Sequence, residues 1–534
     1  MHSGSVQAVE MVFLLLLLFV VAFGALARKL QTPYPIILVI AGALLGFVPA
    51  IPNVPLNPDL IFFVILPPLL YAAAWGTSWR EFSYNLVSIL LLAFGLVAFT
   101  VAGVSLGAHW LFPGFDWRIG FVLGAIIAPT DAIAATAIAN RVGLPKRIVD
   151  ILEGESLVND ASGLLALEFG IAMVIRGQTP TMIEAFGRLV FLILAGLGVG
   201  LAVAWIVDHI ERRIDDGPIE IAISILVPYA AYFVADRIHA SSVLAVIACG
   251  LYLSRRSSEF FSPEVRLQIW GFWDSFVFIL NGLVFVLIGL QLPHVLAGIK
   301  GYRLTTLLLY GALFSALVIV LRLLWIFPGA FLANRIRTRI LHQNEKLPSA
   351  RALLVTGWTG MRGVISLAVA IALPDAFPQR DLIIFLAFSV IFVTLVLQGL
   401  TLPFVVRMLG VASAGGPKNE IEREEESARR EMLQSALHYL EETRKEDESN
   451  FREIYDDITG HYRHRLAAVD GTEDPDGRLS PEHRQRHTGL LRDLLRIERQ
   501  TALRLRNQGR INDETLRQLE YELDLREANP SANV

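Results

Sequence analysis

Gly154-Glu155-Ser156-Leu157-Val158-Asn159-Asp160 decides how this chain is read. The stretch opens an apolar run, about residues 148–174, that is long enough to cross a bilayer. An ionisable group inside a membrane helix costs about 2.5–3.5 kcal/mol unless it is paired or wet. On a helix, Glu155 and Asn159 are i,i+4 neighbours, and so are Ser156 and Asp160, which puts the two pairs on adjacent strips of one face. Asp160 is the deeper acid and is flanked by Leu157, Val158, Leu164 and Leu165. Ser156 and Asn159 can ligate or hydrogen-bond, but they cannot neutralise it. Gly154-Glu155-Ser156 is not a hydrolase nucleophile elbow, because that turn needs glycine where Val158 stands.

Working outward, the rest of the chain agrees with a membrane setting. Of 534 residues, 54% are hydrophobic and 18% charged, with a mean hydropathy of +0.53. The charge is unevenly spread: residues 1–410 hold 49 Asp, Glu, Lys and Arg, and residues 411–534 hold 47. The expected organisation is therefore an apolar transmembrane body, 1–410, and a charged cytoplasmic tail, 411–534. The net charge of −4 points to no nucleic-acid partner, and the single cysteine, Cys249, can form neither an internal disulfide nor a cysteine metal site.

Thirteen apolar spans are expected, near 8–27, 34–50, 59–75, 85–109, 117–139, 148–174, 185–207, 217–235, 240–253, 267–293, 303–333, 350–373 and 381–408. The first is read as an uncleaved helix and not a signal peptide: residues 2–10 carry no Lys or Arg, while Arg28 and Lys29 follow the apolar run. With the N-terminus outside, the connections facing the cytoplasm carry 16 Lys and Arg and the others 7, which supports that orientation in a plasma membrane or bacterial inner membrane.

Two spans are interrupted. Ala128-Pro129-Thr130-Asp131 lies midway along the fifth, where Pro129 removes a backbone N–H and displaces a carbonyl. Such backbone is tolerated at membrane depth only against protein or a water-filled cavity. Gly357-Trp358-Thr359-Gly360-Met361-Arg362-Gly363 lies midway along the twelfth, and its three glycines weaken the helix. The two spans are seven apart and so antiparallel, the pattern of inverted repeats whose broken helices cross at an ion site. Asp131 and Arg362 are expected to compensate the half-helix dipoles there. Arg362 needs an anion; among Glu155, Asp131 and Asp160, Glu155 is the preferred partner, because that pairing leaves Asp160 free to titrate. Glu168, Asp208, Glu220, Asp274 and Arg322 are read as snorkelling, locally paired or wet.

The tail changes character at Ala414-Gly415-Gly416-Pro417. Residues 420–446 have high helix propensity, a loop with Gly471, Pro475, Gly477 and Pro481 follows, and leucines then recur at helical spacing up to Leu516, Leu519 and Leu523. The expected product is a helical appendage that packs on itself or on a second copy.

At these residues the sequence resembles the monovalent cation:proton antiporter-1 family, in a bacterial form. The matching pieces are Leu66-Pro67-Pro68-Leu69-Leu70, Pro129-Thr130-Asp131, Gly154 to Asp160, and Gly360-Met361-Arg362-Gly363, in family order, with Arg499 to Glu514 similar to the tails of bacterial members. The resemblance implies an all-α homodimer of thirteen-helix protomers, with core spans at about 85–174 and 303–408 and dimerisation spans at about 8–75 and 217–293. It implies that Asp160 exchanges Na⁺ and H⁺, helped by Ser156, Thr130, Asp131 and Asn159, with Glu155 and Arg362 as a buried pair. One departure matters: many members carry an acid after the Leu-Pro-Pro segment, where this chain has Tyr71-Ala72-Ala73-Ala74.

The expectation is thus secondary Na⁺/H⁺ exchange in a lipid membrane, with K⁺ or Li⁺ as alternative cations and no cofactor. A K⁺/H⁺ antiporter of the same fold is the runner-up. A channel would need pore-lining rings or a carbonyl filter repeat, and an ATP-driven pump a Gly-x-x-x-x-Gly-Lys-Ser/Thr loop; neither occurs. An enzyme would need a nucleophile–base pair, and no histidine lies mid-span.

Overall fold

The computed structural model describes residues 3–49, 56–112, 114–177, 181–299, 302–343, 347–411, 416–446, 452–470 and 481–508, together with Arg510, Leu516, Leu519 and Leu523. The described residues form helices and no strand. In chain order these are α1 (Ser3–Lys29), α2 (Tyr34–Leu45), α3 (Pro58–Gly76), α4 (Trp79–Leu111), α5 (Trp117–Ile127), α6 (Ala132–Val142), α7 (Lys146–Ile175), α8 (Met182–Glu211), α9 (Gly217–Arg237), α10 (Ser242–Phe260), α11 (Pro263–Leu290), α12 (Leu292–Gly298), α13 (Leu304–Arg339), α14 (Ala350–Trp358), α15 (Val364–Ile371), α16 (Arg380–Leu409), α17 (Gly416–Glu446), α18 (Arg452–Asp470) and α19 (Pro481–Asn507). The chain separates into two compact units, 1–417 and 418–534.

Among the described residues, nine helices are long and apolar enough to cross a membrane, and ten if the bent α5–α6 pair counts as one span. That falls short of the thirteen expected, although each expected segment holds a helix or a broken pair of helices. The α2 helix is apolar but only 12 residues long. The α10 helix carries Arg255, Arg256 and Glu259 near its C-terminal end. The twelfth span is two short halves, α14 and α15.

Proline placement explains the irregular turn in α3. In α3 the turn Ile61–Ile65 is wide, and the Leu66 N–H reaches the Ile61 carbonyl. Pro68 cannot donate to the Val64 carbonyl four residues back; the Tyr229 hydroxyl of α9 donates to it instead, at 2.8 Å. The outer face of the bundle is apolar, as a lipid solvent requires: Phe186, Leu194 and Trp205 on α8 and Leu308, Leu324 and Phe331 on α13 are exposed. One apolar core surrounds the crossing of the broken helices, with Ile126, Ile127, Met361 and Leu367. A second joins α3, α8, α9, α10 and α11 through Tyr71, Ala231, Ala245, Cys249 and Trp273.

In the second unit, α17 and α18 are tied by Arg444–Asp456 at 2.8 Å and Glu441–Arg463 at 3.5 Å. Leu433, Ala502, Leu516 and Leu523 are buried. The expected break at Ala414-Gly415, the loop residues Gly471, Pro475 and Gly477, most of the stretch Gly509–Glu514, and the counted charges Lys300 and Lys346 lie outside the described residues.

Candidate functional site

The site is built where two interrupted helices meet. The α5 helix starts on Asp116, whose carboxylate accepts from the Arg118 and Ile119 N–H groups at 2.9 Å. It stops at Ala128 because Pro129 cannot continue the ladder, and the chain resumes as α6 after a bend of 44°. Asp131 is the N-cap of α6; its side chain accepts from the Ile133 N–H at 2.8 Å. The α14 helix ends at Trp358, and α15 begins after Gly363.

Each break satisfies the backbone of the other, the condition for irregular chain at membrane depth. The Asp131 N–H donates to the Met361 carbonyl at 2.9 Å. The Arg362 N–H donates to the Thr394 hydroxyl at 3.1 Å. The Arg362 guanidinium donates to the Ala128 carbonyl and, at 3.0 Å, to that of Pro129. A cation therefore sits at the C-terminal, negative end of α5, and an anion at the N-terminal, positive end of α6. Gly363 lets Asp131 approach the start of α15 as well, since a Cβ there would stand 2.7 Å from the Asp131 Cβ.

The α7 helix lies against this crossing and carries the acids. Glu155 is 1% exposed and is held bidentately by Arg322 of α13, which is 2% exposed; one of the two contacts, Nη2 to Oε2, measures 2.9 Å. The Thr130 hydroxyl donates to Glu155 at 2.8 Å, and the Asn159 amide donates to Thr130 at 2.7 Å. A chain of bonds thus runs from Asn159 through Thr130 and Glu155 to Arg322. The Ser156 hydroxyl accepts the Ala132 N–H, one of the unpaired donors opening α6, at 3.2 Å.

This geometry corrects the expected pairing of Glu155 with Arg362. The partner is Arg322, which reaches Glu155 from α13, while Arg362 is committed to the carbonyls that Pro129 frees. Arg322 is also not the snorkelling or wet arginine read from sequence. A signal for it existed: it is the one charge between Arg303 and Arg335, in the middle of a long apolar run. Gly360 makes room for it, because a Cβ there would meet the Arg322 Cδ and Nε and lie 3.0 Å from its Cζ. Of the weaker charges, Asp208 pairs with Arg212 at 3.2 Å and Arg256 at 3.5 Å, and Glu168 with Arg188 at 3.4 Å.

Asp160 differs from Glu155. It is 4% exposed, yet it has no hydrogen bond or ion pair with any described residue, and it faces a cavity of about 490 Å³. Thr130, Asp131 and Ser156 line the same cavity. Glu155, Asn159 and Arg362 do not line it. The cavity extends past Asp160 and Glu153 to Thr77 at the end of α3 and to Asp274 in the first half of α11. A carboxylate with no resident counter-cation, facing a cavity lined by neutral oxygens, can hold a proton or a small cation in turn.

The sodium/hydrogen exchanger transmembrane family profile matches residues 14–408. This chain belongs to that family. The exchanger is accordingly a secondary transporter of Na⁺ and H⁺ and not an enzyme. It is 31% identical to the uncharacterized Na⁺/H⁺ exchanger YjcE of Escherichia coli, over 96% of this chain and 97% of that one. It is 33% identical to the sodium, potassium, lithium and rubidium/H⁺ antiporter of Bacillus pumilus, over 87% of this chain and 70% of that one. Its fold is similar to that of the sodium proton antiporter MjNhaP1 of Methanocaldococcus jannaschii, with a TM-score of 0.57 and 19% identity over 76% of this chain and 99% of that one.

Proposed function

We propose that the exchange is electroneutral, one Na⁺ for one H⁺, by competition at Asp160. The observation that carries this reading is the contrast at the site: Glu155 is already matched by Arg322, Asp131 is engaged as a helix cap, and Asp160 faces the cavity unpaired. Asp160 can hold one proton or help ligate one cation with further oxygen ligands, and not both, so each displaces the other. Thr130, Asp131 and Ser156 are the ligands proposed beside it, while Asn159 acts behind them by holding Thr130. Exchange fades at low pH, where protons occupy the site.

The charge bias of the connections supports a cytoplasmic position for the Thr77 end of the cavity and the start of α11, with the N-terminus outside and the tail inside. The cavity then gives access from the cytoplasm, and the opposite access follows when the broken-helix core shifts against its neighbours. The assembly is a homodimer in a plasma membrane or bacterial inner membrane, in contact with lipid, and it serves pH homeostasis. K⁺ and Li⁺ are the alternative cations; the name of the Bacillus pumilus relative supports a site of broad choice.

The test is dequenching of a pH dye in proteoliposomes on adding Na⁺, K⁺ or Li⁺ separately, then imposing a membrane potential at equal ion gradients. Cation-driven dequenching with no response to voltage alone is expected. Exchange driven by voltage alone would end the 1:1 scheme.

A further inference from the structure

The α11 helix turns a polar face to the cavity that the exchange scheme leaves unused. Asp274, Val277, Asn281 and Val284 recur at three- to four-residue steps, and all four line the cavity. Asp274 is exposed. Asn281 lies two turns further in, 2% exposed, and its amide oxygen has no hydrogen-bond partner among the described residues. Tyr34 of α2 lines the same wall, with its ring 5.4 Å from Phe278 and 6.5 Å from Phe285. The neighbours of Asn281 along α11, such as Leu280, Leu283 and Val286, are apolar and buried. The Asn281 side chain hydrogen-bonds the Tyr34 phenol, and that contact still leaves its amide oxygen unpaired, a cost that packing does not explain.

The oxygens already placed around Asp160 are largely engaged. The Thr130 hydroxyl bonds Glu155 and Asn159, the Ser156 hydroxyl accepts from Ala132, and Asp131 caps α6. We propose that the Asn281 amide oxygen is a further ligand of the transported monovalent cation, supplied from α11 as the ion approaches Asp160. The proposal rests on the exchange reading of Asp160 and deepens it. A proton needs only the carboxylate, whereas an alkali cation needs several oxygens at once. A neutral amide that does not titrate therefore strengthens the cation side of the competition and leaves the proton side alone. It also supplies a polar group to a cavity whose third-span wall, at Ala72 and Ala73, offers none.

The experiment measures exchange by the full chain in proteoliposomes at several pH values. Asn281→Leu keeps similar volume and removes the oxygen. It should raise the apparent KM for Na⁺ and Li⁺ by about three- to tenfold at every pH, with the maximal rate and the pH at which KM begins to climb unchanged. Asn281→Asp restores an oxygen but titrates, so it should bring KM back to within about twofold of the wild type only at the high-pH end of the series. An unchanged cation KM in Asn281→Leu overturns the proposal, and so does a change confined to the maximal rate. If Asn281→Leu does not fold, Asn281→Cys in a Cys249→Ser background takes its place. Na⁺ should slow its reaction with a positively charged thiol reagent, and labelling indifferent to Na⁺ overturns the proposal. Asp160→Asn is run alongside: exchange that survives it removes the Asp160 reading itself, whereas a dead Asp160→Asn with a wild-type Asn281→Leu removes only this inference.

Discussion

Glu155 and Asp160 stand five residues apart on one helix, both buried, and their surroundings differ completely. Five residues advance roughly 140° around a helix, so the two acids look out of different faces. Glu155 looks toward α13 and the break at Pro129, where Arg322 and Thr130 close it off. Asp160 looks into the cavity with no partner among the described residues. Depth in the membrane therefore does not separate the two acids; the number of groups already spoken for does. A closed pair holds two elements together, and an open carboxylate can change its occupant.

The largest expected effect tests the open acid. Asp160→Asn keeps shape and loses charge, so exchange should fall by more than about 100-fold while the thermal midpoint stays close to that of the wild type. Robust dye dequenching by this variant would break the comparison outright.

Next come the closed pair and the arginine that does not join it. Glu155→Ala or Arg322→Ala strands a buried charge and should cost roughly 3–5 kcal/mol, read as lost thermostability and expression. The double variant should cost less than the sum of the two, since the partners act on each other. Glu155 and Arg362 share no such contact, so a cycle on that pair should give clearly weaker coupling. Equal coupling in both cycles would show that the two arginines are interchangeable, contrary to the geometry.

A smaller effect separates the two roles open to Asp131. As a helix cap it should tolerate Asp131→Asn with little loss of stability, while Asp131→Ala should cost about 1 kcal/mol. If Asp131→Asn instead shifts the pH profile of exchange or makes it respond to voltage, Asp131 titrates during transport and the contrast with Asp160 softens.

The smallest effect is expected from the tail. A chain ending at residue 417 loses only the second compact unit and none of the residues around Asp160. It should still exchange ions, with any change appearing in dimer formation or pH dependence. A well-expressed truncation with no exchange would place the tail within the transport machinery.

Much of this molecule is legible in one dimension because the governing physics is local. Apolar runs, the proline at 129, the glycines at 360 and 363 and the cluster from Gly154 to Asp160 set helices, breaks and buried acids through neighbours a few residues away. That Thr130, Asp131 and Ser156 share a cavity with Asp160 was implied by the family resemblance and not by these local rules. They mark thirteen segments, of which α2 is short, α10 carries charge near its end, and α14 and α15 are halves, so that by length and apolarity nine or ten stand out among the described residues. Partner choice is a different matter. Glu155 and Arg322 are 167 residues apart, and no spacing rule connects them. Charge arithmetic left Arg362 as a reasonable partner for Glu155, and only the packing of α13 against α7, with Gly360 clearing the way, decided for Arg322. Asn281 was invisible for the same reason: a neutral amide in an apolar helix acquires meaning only when the fold turns it toward a cavity shared with an unpaired carboxylate. Sequence alone determined that Glu155, Asp160 and Arg362 lie within the membrane; the tertiary structure added Arg322 to the buried charges and determined which of them met.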